Sequence, residues 1–175
     1  MKTLAIAVVA ALTTTAAFAQ SATESTGLNS LVGAAPSTED FVKEAATSDM
    51  FEIASSKLAA EKGDPATETF AEQMVKDHEK TTSELKGIVQ GNGNKPALPT
   101  SMTESQQSML ETLKGLQGKE FNDRYHADQV TAHKDAVDLF KRYGGKGDQA
   151  ALKTWASNTL PALQHHLEMA QQLNK

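Results

Sequence analysis

Residues 70–90 read FAEQMVKDHEKTTSELKGIVQ. Phe70, Met74, Leu85, Ile88 and Val89 recur at the three- and four-residue steps of one face of an α-helix. His78 falls on that stripe, four residues after Met74 and seven before Leu85, while Lys76, Asp77 and Glu79 around it are solvent residues. Its imidazole is expected to point inward. Gly63-Asp64-Pro65 starts this helix at Pro65, with glycine past the preceding helix, aspartate as cap and proline at the first helical position. The run Gly91-Asn92-Gly93-Asn94-Lys95-Pro96, with Pro99 behind it, ends it near Gln90.

Working outward, a helix is expected from about Glu39 to Lys62, with Ser37 as N-cap and acids in its first turn. A third long helix runs from about Lys119 to Tyr143, with Phe121, Tyr125, Val130, Val137 and Phe140 inside. After Gly144-Gly145-Lys146-Gly147-Asp148, with Asp148 as cap, the last helix reaches about Leu173. Pro161 within it predicts a kink or break near Thr159. A shorter helix, about Thr103 to Leu116, stops at Gly118 and serves as a crossover. Residues 49–64 and 133–148 both end in Lys-Gly-Asp, a weak internal echo of two helix pairs. The expected fold is all-α, a ferritin-like four-helix bundle in two helix pairs joined by a crossover with a short extra helix, over residues 38–174.

The start of the chain sets the compartment. Lys2, the apolar run from Leu4 to Ala17 and the small-x-small triplet Ala17-Phe18-Ala19 read as a signal peptide over residues 1–19, cleaved after Ala19. Residues 20–37 are small and polar and read as a flexible leader. The mature chain is expected to be periplasmic or secreted, with no transmembrane segment. None of the 175 residues is Cys. Disulfides, thiolate metal sites, iron–sulfur clusters and covalently attached haem are therefore excluded. The formal charge of −5 and the absence of a basic stripe argue against nucleic acid as a partner. A homodimer is left open, as are protein partners.

The polar residues on inner faces are the informative ones. His133 lies among Val130, Ala136, Val137 and Phe140 on its helical wheel, and His166 shares a face with Trp155, Leu163, Ala170 and Leu173. His165, about 100° away, is expected outside. On the first long helix Glu52 sits on a face of small residues. One group from each of four helices is thereby placed to meet at one point. Glu52, His78, His133 and His166 form a candidate site for a transition metal (Zn, Cu, Fe or Mn), because imidazole and carboxylate suit those ions. Asp49 is the alternative carboxylate, one turn before Glu52. Asp77 or Tyr125 is placed to orient a ligating ring. His126, two turns before His133, is about 10 Å away along the helix, so at most one of the two ligates the ion; His133 is the more central, and His126 is placed to hydrogen-bond or to stand at the site entrance. The residues three before the histidines are Val75, Val130 and Leu163, so the Glu-x-x-His pairs of di-iron bundles are absent.

The chain resembles a known bacterial family, domain of unknown function 4142. The likeness spans residues 38–173 and is carried by Phe41-Val42-Lys43-Glu44-Ala45-Ala46, Met50-Phe51-Glu52, Phe70 to His78, Phe121-Asn122-Asp123-Arg124-Tyr125, His133-Lys134 and Leu160-Pro161-Ala162-Leu163-Gln164-His165-His166-Leu167. The resemblance implies a ferritin-like fold and export, and it places Glu52, His78, His133 and His166 at the family's recurring polar core. Its members are often labelled outer-membrane proteins, but no barrel pattern of alternating strands is present here. Three functions stay open from sequence. The first is metal binding, linked to stress protection or to a redox reaction. The second is a non-catalytic cell-envelope module whose core groups form a hydrogen-bond network. The third is non-covalent haem held by histidine with Met50 or Met74.

Overall fold

The computed structural model describes residues 28–91 and 96–175. The expected signal peptide, residues 20–27 of the leader and part of the loop after Gly91 lie outside them. Among the described residues every regular element is a helix: α1 (Leu28–Leu31), α2 (Thr38–Lys62), α3 (Pro65–Gly91), α4 (Glu104–Gly115), α5 (Gly118–Lys146) and α6 (Ala150–Leu173). None is long and apolar enough to cross a membrane.

Local chemistry sets the ends. The Ser37 hydroxyl accepts from the Asp40 amide at 3.1 Å and starts α2. Asp64 Oδ1 accepts from the Thr67 amide at 2.9 Å and starts α3, with Pro65 at its first position. Gly63 lies between them because a Cβ there would stand 2.6 Å from the Ala59 carbonyl oxygen and 2.7 Å from the Thr67 methyl. Thr103 and Gln106 form a capping box at the start of α4. Gly118 adopts φ +54°, a left-handed conformation that disfavours a side chain, and turns α4 into α5.

Two expected boundaries move. α5 continues through Gly144 and Gly145 to Lys146, because helix packing overrides the weak helix propensity of glycine. The cap of α6 is Gln149, whose side chain accepts from the Leu152 amide at 2.6 Å, in place of Asp148. Asp148 bonds instead to Thr38 and Tyr143, across the end of the bundle. α6 is one uninterrupted helix with Pro161 inside it, so no break occurs near Thr159.

Helices α2 and α3 pack as one pair and α5 and α6 as another; α2 then lies on α5 and α3 on α6. At one end Phe41, Leu85, Phe140, Tyr143, Trp155 and Leu163 belong to one apolar cluster. Phe70, Met74, Phe121, Tyr125 and Ala170 belong to a second. Along each long helix the two clusters use opposite ends. Between them the four long helices bury polar residues, among them Asp49 and Glu52 on α2, His78 on α3, Gln129 and His133 on α5 and His166 on α6. A polar layer therefore divides an otherwise apolar core. Near α1, Arg142 donates to the Ala34 carbonyl at 2.7 Å and Lys146 to that of Gly33 at 2.8 Å, fastening the stretch before α2 to α5.

Phe41 anchors the first cluster. It is fully buried, stacks on Tyr143 with ring centroids 3.9 Å apart and meets Phe140 edge-on at 5.2 Å. Phe41→Ala is expected to cost about 3–5 kcal/mol in urea unfolding. A loss near zero would show that this cluster does not hold the helix pairs together.

Candidate metal centre

Periodicity turns three rings into one space from three helices. His78 comes from α3, His133 from α5 and His166 from α6, and their exposures are 3%, 1% and 4%. Their ring centroids form a nearly equilateral triangle, with sides of 5.6 Å (His78–His133), 5.7 Å (His78–His166) and 5.4 Å (His133–His166). One ligating atom from each ring lies within 4.8 Å of the others. Imidazole–metal bonds of about 2.0–2.1 Å place such nitrogens about 3.3–3.6 Å apart, so closure on an ion needs a shift of the order of 1 Å.

Each ring has one nitrogen tied to an acceptor. His78 Nδ1 bonds Asp49 Oδ1 at 2.8 Å. His133 Nδ1 bonds the Gln129 carbonyl one turn earlier, at 3.0 Å. His166 Nε2 bonds Asp77 Oδ2 at 3.0 Å. An acceptor on one nitrogen fixes the N–H there and leaves a lone pair on the other. Those other atoms, His78 Nε2, His133 Nε2 and His166 Nδ1, are buried and have no hydrogen-bond partner among the described residues. The acceptors are themselves held. Asp49 also accepts from the Thr81 hydroxyl at 2.9 Å and the Thr82 hydroxyl at 3.0 Å. Asp77 accepts from Gln73 at 2.6 Å.

Glu52 departs from the expected convergence. It is 1% exposed and enters the polar layer from α2, but it is not among the donors that approach one another within 4.8 Å. Both of its carboxylate oxygens lack a partner, as does Gln129 Oε1. Six of the seven buried side-chain atoms without a partner among the described residues thus belong to Glu52, Gln129 and the three histidines; the seventh is on Asn122. Such atoms cost about 1–3 kcal/mol each when nothing satisfies them, and Gln129 stands close enough to Glu52 to lower its pKa.

The remaining candidates separate clearly. Asp49 and Asp77 touch rings of the triangle, as acceptors. Tyr125, expected as an orienting group, bonds the Ser56 hydroxyl at 2.8 Å and packs in the second apolar cluster. It stands about two turns before His133 on α5, too far along the helix to hold that ring. His126 bonds the Thr67 hydroxyl at 2.8 Å near the α2–α3 turn, away from the triangle. Met74 is in the second cluster, and Met50 lines a separate small pocket with Leu98 and Pro99. Sequence reasoning missed Thr81, Thr82 and the Gln129 carbonyl. The two threonines follow His78 by one turn, a readable spacing, whereas a backbone acceptor leaves no trace in residue type.

A family model described as "Domain of unknown function (DUF4142)" matches residues 20–173. The chain belongs to that family. A solved structure described as "CopM in the Cu(II)-bound form" is similar at 14% identity and a TM-score of 0.67, covering 80% of this chain and 97% of that one. At that identity the likeness speaks for the all-α fold alone. Among curated proteins, none matches.

Electrostatics in this DUF4142 bundle favour neutral rings at two of the three positions. Burial, reinforced by His78 and His166, pushes His133 down to about 3. Burial and His78 also lower His166 against the pull of Asp77. Burial lowers His78 as well, but the Asp49 hydrogen bond and the charges of Glu52 and Asp49 outweigh it, and the net shift is upward. Burial raises Glu52 from 4.5 to about 7, opposed by His78.

The Glu52 shift gives a signed prediction. A carboxyl that keeps its proton to about pH 7 when folded, but loses it near 4.5 when unfolded, destabilises the fold increasingly as pH rises through that window. In chelator, Glu52→Gln is expected to stabilise the protein by up to about 3 kcal/mol more at pH 8 than at pH 4, read by urea unfolding. Equal effects at both pH values would contradict the burial assigned to Glu52.

Proposed function

We propose that this protein holds one transition-metal ion inside the bundle on His78 Nε2, His133 Nε2 and His166 Nδ1, as an exported metal-handling protein of the cell envelope. The observation that carries the reading is that the three rings bring ligating atoms within 4.8 Å of one another, and each ring has a buried nitrogen with no hydrogen-bond partner among the described residues. Each opposite nitrogen is engaged by an acceptor, the arrangement that fixes tautomer and aim in histidine metal sites. Asp49, Asp77 and Glu52 supply negative charge around the space and offset the charge of a divalent ion. Copper and zinc both suit neutral imidazoles, and the Cu(II) bound by the similar CopM structure makes copper the first ion to test. Glu52, expected from sequence as a fourth ligand, acts in this reading as a buried counter-charge. The Ala-rich start of the chain supports export.

A purely hydrogen-bonded core, the rival reading, requires partners for the second nitrogen of each ring, and none is found among the described residues. Protein loaded with Cu(II) or Zn(II) and then desalted is expected to retain about one equivalent by elemental analysis, and to melt higher than chelated protein by mass action. His133→Ala is expected to abolish retention while the helical circular-dichroism signal persists. Retention unchanged in that variant, or none in the parent, contradicts the proposal. Asp77→Asn keeps the ligands but weakens the acceptor on His166, and is expected to lower metal affinity about 10–100-fold at unchanged stoichiometry in a competition titration.

A further inference from the structure

A cavity of about 520 Å³ lies between α3 and α6 and opens to the surface. It falls in the range of roughly 300–1,000 Å³ that small-molecule sites occupy. His78 and His166 line it; His133 and Glu52 do not. Both rings are buried, and Nε2 of His78 and Nδ1 of His166 have no hydrogen-bond partner among the described residues. The rest of the lining includes Glu84, Trp155, Asn158 and Ala162. Trp155 Nε1 donates to Glu84 Oε2 at 3.0 Å and ties the two walls together.

Three nitrogens do not complete the shell of copper or zinc, and a three-ligand site leaves a coordination position for a small molecule. Glu52 stands on α2, across the bundle from the cavity, and is outside the group of converging donors. We infer that a metal ion held by His78, His133 and His166 takes an exchangeable small ligand, water or a small anion, through the α3–α6 cavity. The inference rests on the proposed metal site and adds to it an open position and the side from which that position is reached. Thr81, Asn158 and Thr159 supply polar side chains to the wall of that cavity.

The test is azide titration of the copper-loaded protein, followed by the azide-to-copper charge-transfer band and by electron paramagnetic resonance. In the parent protein azide is expected to bind saturably, one per copper. Ala162 and Asn158 are exposed residues of the cavity wall, outside the ligand set, so larger side chains there narrow the route at little cost to folding. Ala162→Phe and Asn158→Phe are each expected to keep the parent's copper stoichiometry and to raise the azide Kd at least about tenfold. Glu52→Gln is expected to leave the azide Kd within about threefold of the parent. A copper spectrum that ignores azide in the parent, or azide binding as tight in both cavity variants as in the parent, overturns the open position. A spectrum that responds to azide only in Glu52→Gln overturns it as well, because Glu52 then closes the shell. A parent that retains no copper refutes instead the metal site on which the inference rests.

Discussion

Each core imidazole has one nitrogen bound to a protein acceptor and the other buried with no hydrogen-bond partner among the described residues. The rest of the molecule is arranged around that asymmetry. Three helices must be in register for the rings to face one another, and the fourth brings a carboxyl group to the same level. A core of leucine and phenylalanine throughout would be easier to fold, since unpartnered buried polar atoms cost free energy that apolar packing does not. The layer persists here between two apolar clusters that close the bundle on either side, one around Phe41 and Tyr143, the other around Phe70 and Tyr125.

The three acceptors are of different kinds. Asp49 is buried, bridges α2 to α3 and is held by two threonine hydroxyls, so its geometry is rigid. Gln129 uses its backbone, which no side-chain substitution removes. Asp77 is partly exposed and lines the α3–α6 cavity, so the ring it holds is the one nearest to solvent. The site is thus stiff toward α2 and α5 and accessible toward α3 and α6. That division suits the ion and the exchangeable ligand proposed for this site.

Much of this was readable from residue order because it depends on local rules. Ser37, Gly63, Asp64, Pro65 and Gly118 mark helix ends through capping and turn chemistry confined to a few residues, and all five lie at the boundaries they indicate. The inward aim of His78, His133 and His166 follows from a 3.6-residue period, which holds once a helix packs on one face. What was not readable depends on tertiary distance. Asp148 looks like a cap but is drawn to Thr38 and Tyr143 across the bundle, and Gln149 takes its place. Glu52 has the right face and level, yet the reach of its side chain relative to the rings is fixed by how closely α2 approaches, which no periodicity encodes. Tyr125 and His126 share a helix with His133 but stand about two turns before it, and each found a hydroxyl nearer by.

X-ray absorption at the edge of the bound metal tests the central claim most directly, because it reports donors by element and distance. The account predicts a first shell of nitrogen and oxygen at about 2.0–2.1 Å, outer-shell scattering from three imidazole rings and no sulfur. A sulfur shell near 2.3 Å, or scattering from fewer than two imidazoles, would contradict it.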